Sequence, residues 1–372
     1  MEINKLILTK NIKNQLKHLY YISFVKFIAM ITIIKWHISI WNKRPIDYGA
    51  RMCELLFISS GFLVGYNYFK NPMETNYMQS FSYAYKHLKG FYPLYLINTF
   101  IDIYIHRKIK INFLSYAEII FINILMIQSW SRFKLFVPCF NGHTWFLSVL
   151  IFCYFVSPLL LKGIKNIKRA SIIFLITSLI RISEEELINK GAINLFDADF
   201  HFGPVIRLLE FYMGMLTIPV YFFIKNILDK YHNRSTFFKI FFTLIQTGLP
   251  IITYKIMLKF NYTLLRCYFA LIFSFLILFI GLDYGYFSDI FSSKIVQIIM
   301  SFQIEMYLLQ LNVNHYINIL IKNHSKNKIH NEIEFAFKLI IIFIIAFLYK
   351  KNMKDKLSHI LDRIVLSLVN KI

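Results

Sequence analysis

The stretch Phe24–Trp41, FVKFIAMITIIKWHISIW, constrains this chain more than any other. It is apolar and long enough to cross a membrane as a helix, yet it carries Lys26, Lys35 and His37. Charged or titratable groups at membrane depth are costly and face a protein interior or a watery cavity, not lipid. Lys26 and His37 are eleven positions apart. At ~100° per residue that is ~1100°, about 20° from three full turns, so both lie on one face. The ~1.5 Å rise per residue separates them by ~16 Å, about half the hydrocarbon thickness. One helix therefore shows a fixed cation at one depth and an imidazole at another.

The rest of the chain repeats the apolar theme. Hydrophobic residues make up 57% and charged residues 17%, against ~25% charged in soluble domains. The fold class read from this is all-α, a polytopic membrane protein with about ten transmembrane helices plus one short or re-entrant segment. Lys and Arg number 42 against 20 Asp and Glu. With this hydropathy that excess excludes a nucleic-acid partner and fits cytoplasmic loops and contacts with membrane lipid headgroups. The four cysteines, Cys53, Cys139, Cys153 and Cys267, form no CxxC pair, and no metal site is expected.

Apolar runs place spans near 22–40, 50–69, 91–106, 144–161, 170–182, 205–224, 236–256, 264–283, 295–317 and 334–349. A run near 116–130 is marginal. Treating it as non-crossing keeps Lys162, Lys165, Lys168 and Arg169 inside, as the positive-inside rule asks. Arg107–Lys110 and Lys322–Lys328 then fall outside as exceptions. The domain reading is a basic cytoplasmic tail at 1–20 with Lys5, Lys10, Lys13 and Lys17, a transmembrane domain at 21–350, and a second basic cytoplasmic tail at 351–372. The last ~15 residues read as an amphipathic surface helix. The first apolar run lacks a small-residue cleavage site, so it reads as an uncleaved anchor in the plasma membrane.

On this topology a set of polar groups shares the outer level: His37, Glu54, His143, Trp145, Arg207 and Glu210. Such a layer suggests a cavity. His37 suits general base chemistry, and Glu54 or Glu210 is a candidate to fix its tautomer. Arg207 and Glu210, at i and i+3, are either an internal ion pair or a hydroxyl-binding pair. Lys26 is either a deep anion anchor or a snorkelling lysine. Lys86 and Lys89 precede Tyr92-Pro93 and serve equally as loop charges or as a phosphate clamp. Lys35 reads as reaching the outer interface. Gly61 and Gly65 give a GxxxG spacing that permits close helix approach. The acidic run Asp197–Asp199 with His201 reads as a solvated outer loop. No serine elbow, Walker loop or HExxH is present.

These residues give the chain a resemblance to the acyltransferase 3 family of integral membrane acyltransferases, over about residues 20–350. The first span carries Lys26, ten residues and His37. ELLFISSGFLVGY supplies Glu54, Ser60, Gly61 and Phe62 against a family motif close to FFxxSGFL. His143-Thr-Trp145-Phe146-Leu147 and Arg207-Leu208-Leu209-Glu210-Phe211 match two later motifs, and Ser301–Gln310 matches a third loosely. Where the family has RxxR before Tyr-Pro, this chain has His87 and Gly90, with Lys86 and Lys89 one place earlier. The resemblance implies transfer of an acyl group, usually acetyl, from cytosolic acyl-CoA to a sugar hydroxyl of a surface or lipid-linked glycan, with polysaccharide synthesis machinery as a candidate partner. No bound cofactor is implied beyond acetyl-CoA as donor substrate. His37 would act as general base or acyl carrier, with Glu210 or Glu54 orienting it. Lys26, Lys86 and Lys89 would hold the donor, and Arg207, His143 and Trp145 the acceptor. Ser60 and Gly61 would be structural. Two other readings remain open on sequence: an exporter without chemistry, in which Lys26 and His37 line a path, and a structural partner of an assembly.

Overall fold

In the computed structural model the described residues are 19–41, 49–72, 74–105, 113–130, 142–189, 203–231, 236–260, 267–324 and 331–369. Residues 1–18, Cys139, Arg107–Lys110, the acidic run at Asp197–Asp199 with His201, and residues 325–330 lie outside them, so of the stretch Lys322–Lys328 only 322–324, the end of a helix, are described. Among the described residues the structure is helical, with no strand. Among the described residues four helices or helix pairs are long and apolar enough to cross a bilayer: Tyr20–Ser39, Gly142–Ile164, Pro204–Lys230 and Thr236–Lys259. Rows of large apolar side chains stay exposed, among them Leu175, Leu179, Phe241, Leu244, Ile340 and Ile344. Apolar surface on this scale belongs to a membrane protein.

Helix α1 runs Tyr20–Trp41 and α2 runs Gly49–Lys70. Lys70 then leads to a segment that reads in sequence as loop, but α3 (Tyr77–Leu88) forms there. Asn76 starts it: its side-chain oxygen accepts from the Gln79 amide at 2.7 Å, satisfying a donor the first turn leaves open. Ser80 and Ala84 face inward while Tyr77, Met78 and Phe81 face out. Helix α4 (Tyr92–Ile105) follows.

The marginal run is α5, Phe113–Ile124. Its twelve residues span ~18 Å, well short of the ~30 Å hydrocarbon core. Met126 then adopts a left-handed φ of 55°, and the chain doubles back. Gln128 donates to Thr144 at 3.2 Å and Ser129 to the Trp145 carbonyl at 3.0 Å. The short segment thus docks on the entry to α6 (Trp145–Leu160).

The next helices are α7 (Ile167–Asn189), α8 (Pro204–Leu216), α9 (Ile218–Tyr231), α10 (Thr236–Phe260) and α11 (Phe269–Gly281). Two expected spans prove to be broken. The run at 205–224 divides at Thr217, whose hydroxyl bonds the Gly214 carbonyl at 2.8 Å. After short α12 (Phe287–Phe291), the run at 295–317 divides at Ser301–Phe302 into α13 (Lys294–Met300) and α14 (Gln303–His324). Helix α15 (Asn331–Asn352) and amphipathic α16 (Lys354–Val369) end the described chain.

The core is built on α2. It packs against α1, α8 and α11. At the α2–α8 crossing a methyl on Gly61 would overlap the Phe211 carbonyl, and one on Gly214 the Ile58 carbonyl. Gly65 faces α8–α9 too, where an added Cβ would stand 2.8 Å from Ile218. The sequence spacing of small residues is thus a backbone-to-backbone contact. Neither carbonyl can move without breaking its helix. Gly61→Val or Gly214→Val is therefore expected to abolish folded protein, read as loss of the monodisperse peak in detergent size-exclusion chromatography. Gly248→Ala on α10, where a Cβ meets open space, should leave that peak unchanged.

Candidate active site

Two polar levels lie along α1, as its sequence spacing requires. At the first, the Lys26 ammonium donates to the Ser60 hydroxyl on α2 at 3.1 Å. Tyr154 of α6 also reaches Ser60. The His87 ring of α3 stacks on Tyr154, with centroids 4.1 Å apart and planes 21° apart, and Tyr83 meets His87 edge-on. Lys26, Ser60, Tyr154 and His87 therefore form one inner cluster, capped by a helix that sequence reasoning treated as loop. Burial first, then the neighbouring charges of Lys86 and Lys26, push the His87 pKa down to about 4. His87 is thus a neutral ring beside cations, which can gain a proton when an anion arrives.

Lys89 lies farther out and is committed elsewhere. It approaches Asp362 of α16 at 3.3 Å. The Tyr85 hydroxyl donates to the same carboxylate at 2.7 Å, and Ser358 donates to the Lys89 carbonyl at 3.2 Å. The Tyr85 bond, with help from Lys89 and His359, holds the Asp362 carboxyl below the usual range. The C-terminal helix is therefore fastened to the α3–α4 corner. Lys86 is exposed.

At the second level, His37 Nδ1 lies 3.0 Å from Gln310 Oε1 of α14. The His143 ring stands edge-on to His37, with centroids 5.9 Å apart. Tyr307, one turn before Gln310, donates its hydroxyl to the His143 carbonyl. One helix face thus braces both histidines. His143 is buried, with its ring against the backbone of Tyr307 and Leu308. Asn314, one turn beyond Gln310 and fully buried, has both side-chain polar atoms unpartnered. His37 itself is only partly buried.

The carboxylates expected to hold His37 are placed otherwise. Glu210 accepts from Arg207 at 2.7 and 2.8 Å and from Arg181 at 3.0 Å. Glu54 pairs with Arg51, with Arg181 at 3.6 Å and with Arg207 at 3.9 Å. Three guanidinium groups and two carboxylates form one buried cluster, joining α2, α7 and α8. The Arg207 guanidinium lies 5.8 Å from the Trp145 ring and 5.9 Å from Phe57. The Arg207–Glu210 spacing is thus the internal ion pair, and the ring-holding role falls to Gln310. Lys35 does not reach the interface unpaired: it meets Glu332 of α15 at 2.9 Å.

Sequence reasoning missed Arg51, Arg181, Tyr307, Gln310 and Asn314. Arg181 carried a signal, a guanidinium at the end of an apolar run. The α14 residues carried another, polar side chains at i, i+3 and i+7 on one face.

A model of the acyltransferase domain matches residues 19–351. The chain belongs to the acyltransferase 3 family. It is a membrane protein of an acyltransferase family, and the match covers both polar levels. No curated protein and no solved structure matches the chain.

Two outcomes follow from this geometry. Arg181→Leu leaves two buried carboxylates short of a partner, and removing one member of a buried pair costs about 3–5 kcal/mol. A clear fall in melting temperature in detergent is expected, against none for the exposed Arg169→Leu. His87 stays neutral in the folded protein down to about pH 4, while in the unfolded chain it protonates near pH 6.5. The unfolded state then binds more protons between those values, so stability falls as pH drops through that window. Melting temperatures at pH 7.5 and 5 should differ more for the wild type than for His87→Phe, which keeps the stack.

Proposed function

We propose that this protein is a membrane-bound O-acyltransferase that moves an acyl group, acetyl in the simplest case, from cytosolic acyl-CoA to a sugar hydroxyl of a surface or lipid-linked polysaccharide. The observation that carries the reading is the outer pair of imidazoles: His37 held by Gln310, with the buried His143 ring edge-on beside it. An imidazole is the side chain best suited to take a proton from a hydroxyl near neutral pH.

In the step envisaged, His37 removes the acceptor hydroxyl proton as that oxygen attacks the thioester carbonyl. The C–S bond breaks, and the CoA thiolate leaves and takes up the proton. The products are an ester and a thiol. His143 and Asn314 supply polar contacts to the acceptor or the carbonyl oxygen, and Trp145 an aromatic wall. An acyl group carried on His37 between donor and acceptor is the two-step form of the same transfer. At the inner level, Lys26 and His87 offer charge to the donor phosphates, with Lys86 nearby and the flexible arm of CoA reaching outward along α1.

This reading sets the topology at ten crossings in the plasma membrane with both termini cytoplasmic. The contact of α16 with the α3–α4 corner keeps the C-terminal helix beside Lys86–Lys89, and their shared basic character supports reading both as cytoplasmic.

The test compares surface glycan by proton NMR from wild-type cells, a deletion strain and a His37→Ala strain with expression verified. Loss of an acetyl methyl signal in both mutants, with polymer still at the surface, is expected. Unchanged acetylation with polymer retained inside the cell would overturn the reading in favour of export.

A further inference from the structure

Gln310 is fully buried and makes two hydrogen bonds with its two ends. Its Nε2 donates to the Tyr307 carbonyl at 2.9 Å, and its Oε1 lies 3.0 Å from His37 Nδ1. The two bonds fix each other. Turning the amide over would set its oxygen against the Tyr307 carbonyl oxygen, two acceptors facing each other. With the amide held this way, only an acceptor faces His37, so Nδ1 must carry the proton. The lone pair of a neutral ring is then on Nε2.

We propose that Gln310 is a positioning residue that holds His37 in its Nδ1–H tautomer and leaves Nε2 as the basic nitrogen. Nothing in the carboxylate cluster can do this, because Glu54 and Glu210 are taken by Arg51, Arg181 and Arg207. A neutral amide acceptor sets the tautomer without adding a charge beside the ring. The tautomer itself is a property of the resting protein. Its use in catalysis rests on the acyl-transfer reading above, since the wrong tautomer leaves a base with its lone pair on the wrong side.

The test is nitrogen-15 NMR of the full chain in detergent, labelled at histidine, at pH 8, with the His37 signals assigned by their loss in His37→Ala. In the wild type, His37 should show a protonated Nδ1 and an unprotonated Nε2. Gln310→Met keeps the length and removes the acceptor, so the ring should revert to the Nε2–H form that neutral histidine favours in water. Gln310→Glu, its carboxyl protonated so that the O–H donates to the Tyr307 carbonyl, restores an acceptor beside His37 and should restore Nδ1–H, which separates tautomer control from mere packing. A wild-type His37 in the Nε2–H form, or a tautomer unmoved by Gln310→Met, overturns the proposal.

The second readout is CoA thiol release from acetyl-CoA by the same variants in membranes carrying the native acceptor. Gln310→Met should lose about 100-fold or more in kcat, general-base catalysis being worth ~10²–10⁴-fold, with KM for acetyl-CoA unchanged. Gln310→Glu should recover most of it. A rate in Gln310→Met equal to wild type while the tautomer has switched would overturn the positioning role. If His37→Ala itself releases CoA at the wild-type rate, the acyl-transfer reading fails while the tautomer result still stands.

Discussion

The contact on which the rest depends is the crossing of α2 and α8. Gly61 lies on the Phe211 carbonyl and Gly214 on the Ile58 carbonyl, so the two backbones touch with no side chain between them. In lipid, helices gain little from burying apolar surface against each other, and close packing of this kind is what remains. The crossing also fixes a register. Glu54 sits two turns before Gly61, and Arg207 and Glu210 sit two turns and one turn before Gly214. Once the glycines meet, the charged residues on both helices must meet as well. Ser60, next to Gly61, is turned toward Lys26 of α1 by the same contact. A packing motif of two small residues therefore places a charge cluster at one level and the inner hydroxyl at another.

The buried charges follow from that register and explain themselves by count. Arg51, Arg181 and Arg207 face Glu54 and Glu210, and each carboxylate is shared by more than one guanidinium. A lone ion pair at this depth gains little over apolar packing, and a network recovers more because each charge has several partners. Its effect is to tie α7, which contributes Arg181, to the α2–α8 pair. The cluster is thus a joint between helices. The second joint is neutral: Tyr307 and Gln310 on α14 hold His143 and His37 through hydrogen bonds alone. Keeping the strong charges in one joint and the histidines in the other leaves the imidazoles free of a permanent ion-pair partner.

Local spacing made much of this legible in the sequence. The Lys26–His37 face, the GxxxG contact and the Arg207–Glu210 pair are all relations within one helix, and helical geometry fixes them. The short segment at 116–130 was visible from length alone. The family's pattern of residues was legible too, and the match over 19–351 carries it. What could not be read was the pairing between helices. Spacing cannot show whether a carboxylate turns toward a histidine or an arginine; in the structure Glu54 and Glu210 turn toward arginines. Arg181 was lost because a charge at the end of an apolar run looks like a boundary. Helix α3 was lost because its lysines and tyrosines read as a polar loop, although Asn76 supplies a start signal.

The division of one long apolar run into α13 and α14 had no sequence signal as strong as proline, yet it shapes the inner end of the molecule. Ser301 takes the Lys350 ammonium on its hydroxyl and carbonyl at 2.8 Å each, and Glu305, just past the break, pairs with Lys354 at 2.6 Å. One open carbonyl at the break is thus met by Lys350, and Lys354 neutralises the Glu305 carboxylate beside it. The α15–α16 corner that supplies these lysines is also where α16 turns to reach Asp362's partners, Tyr85 and Lys89. The break in α14, the C-terminal helix and the α3 cap over Lys26 therefore form one chain of contacts around the inner end of α1. The same α14 that is anchored there carries Tyr307 and Gln310 to the outer level. The two polar levels of α1 thus have different partners: Ser60 of α2 takes Lys26, and Gln310 of α14 takes His37.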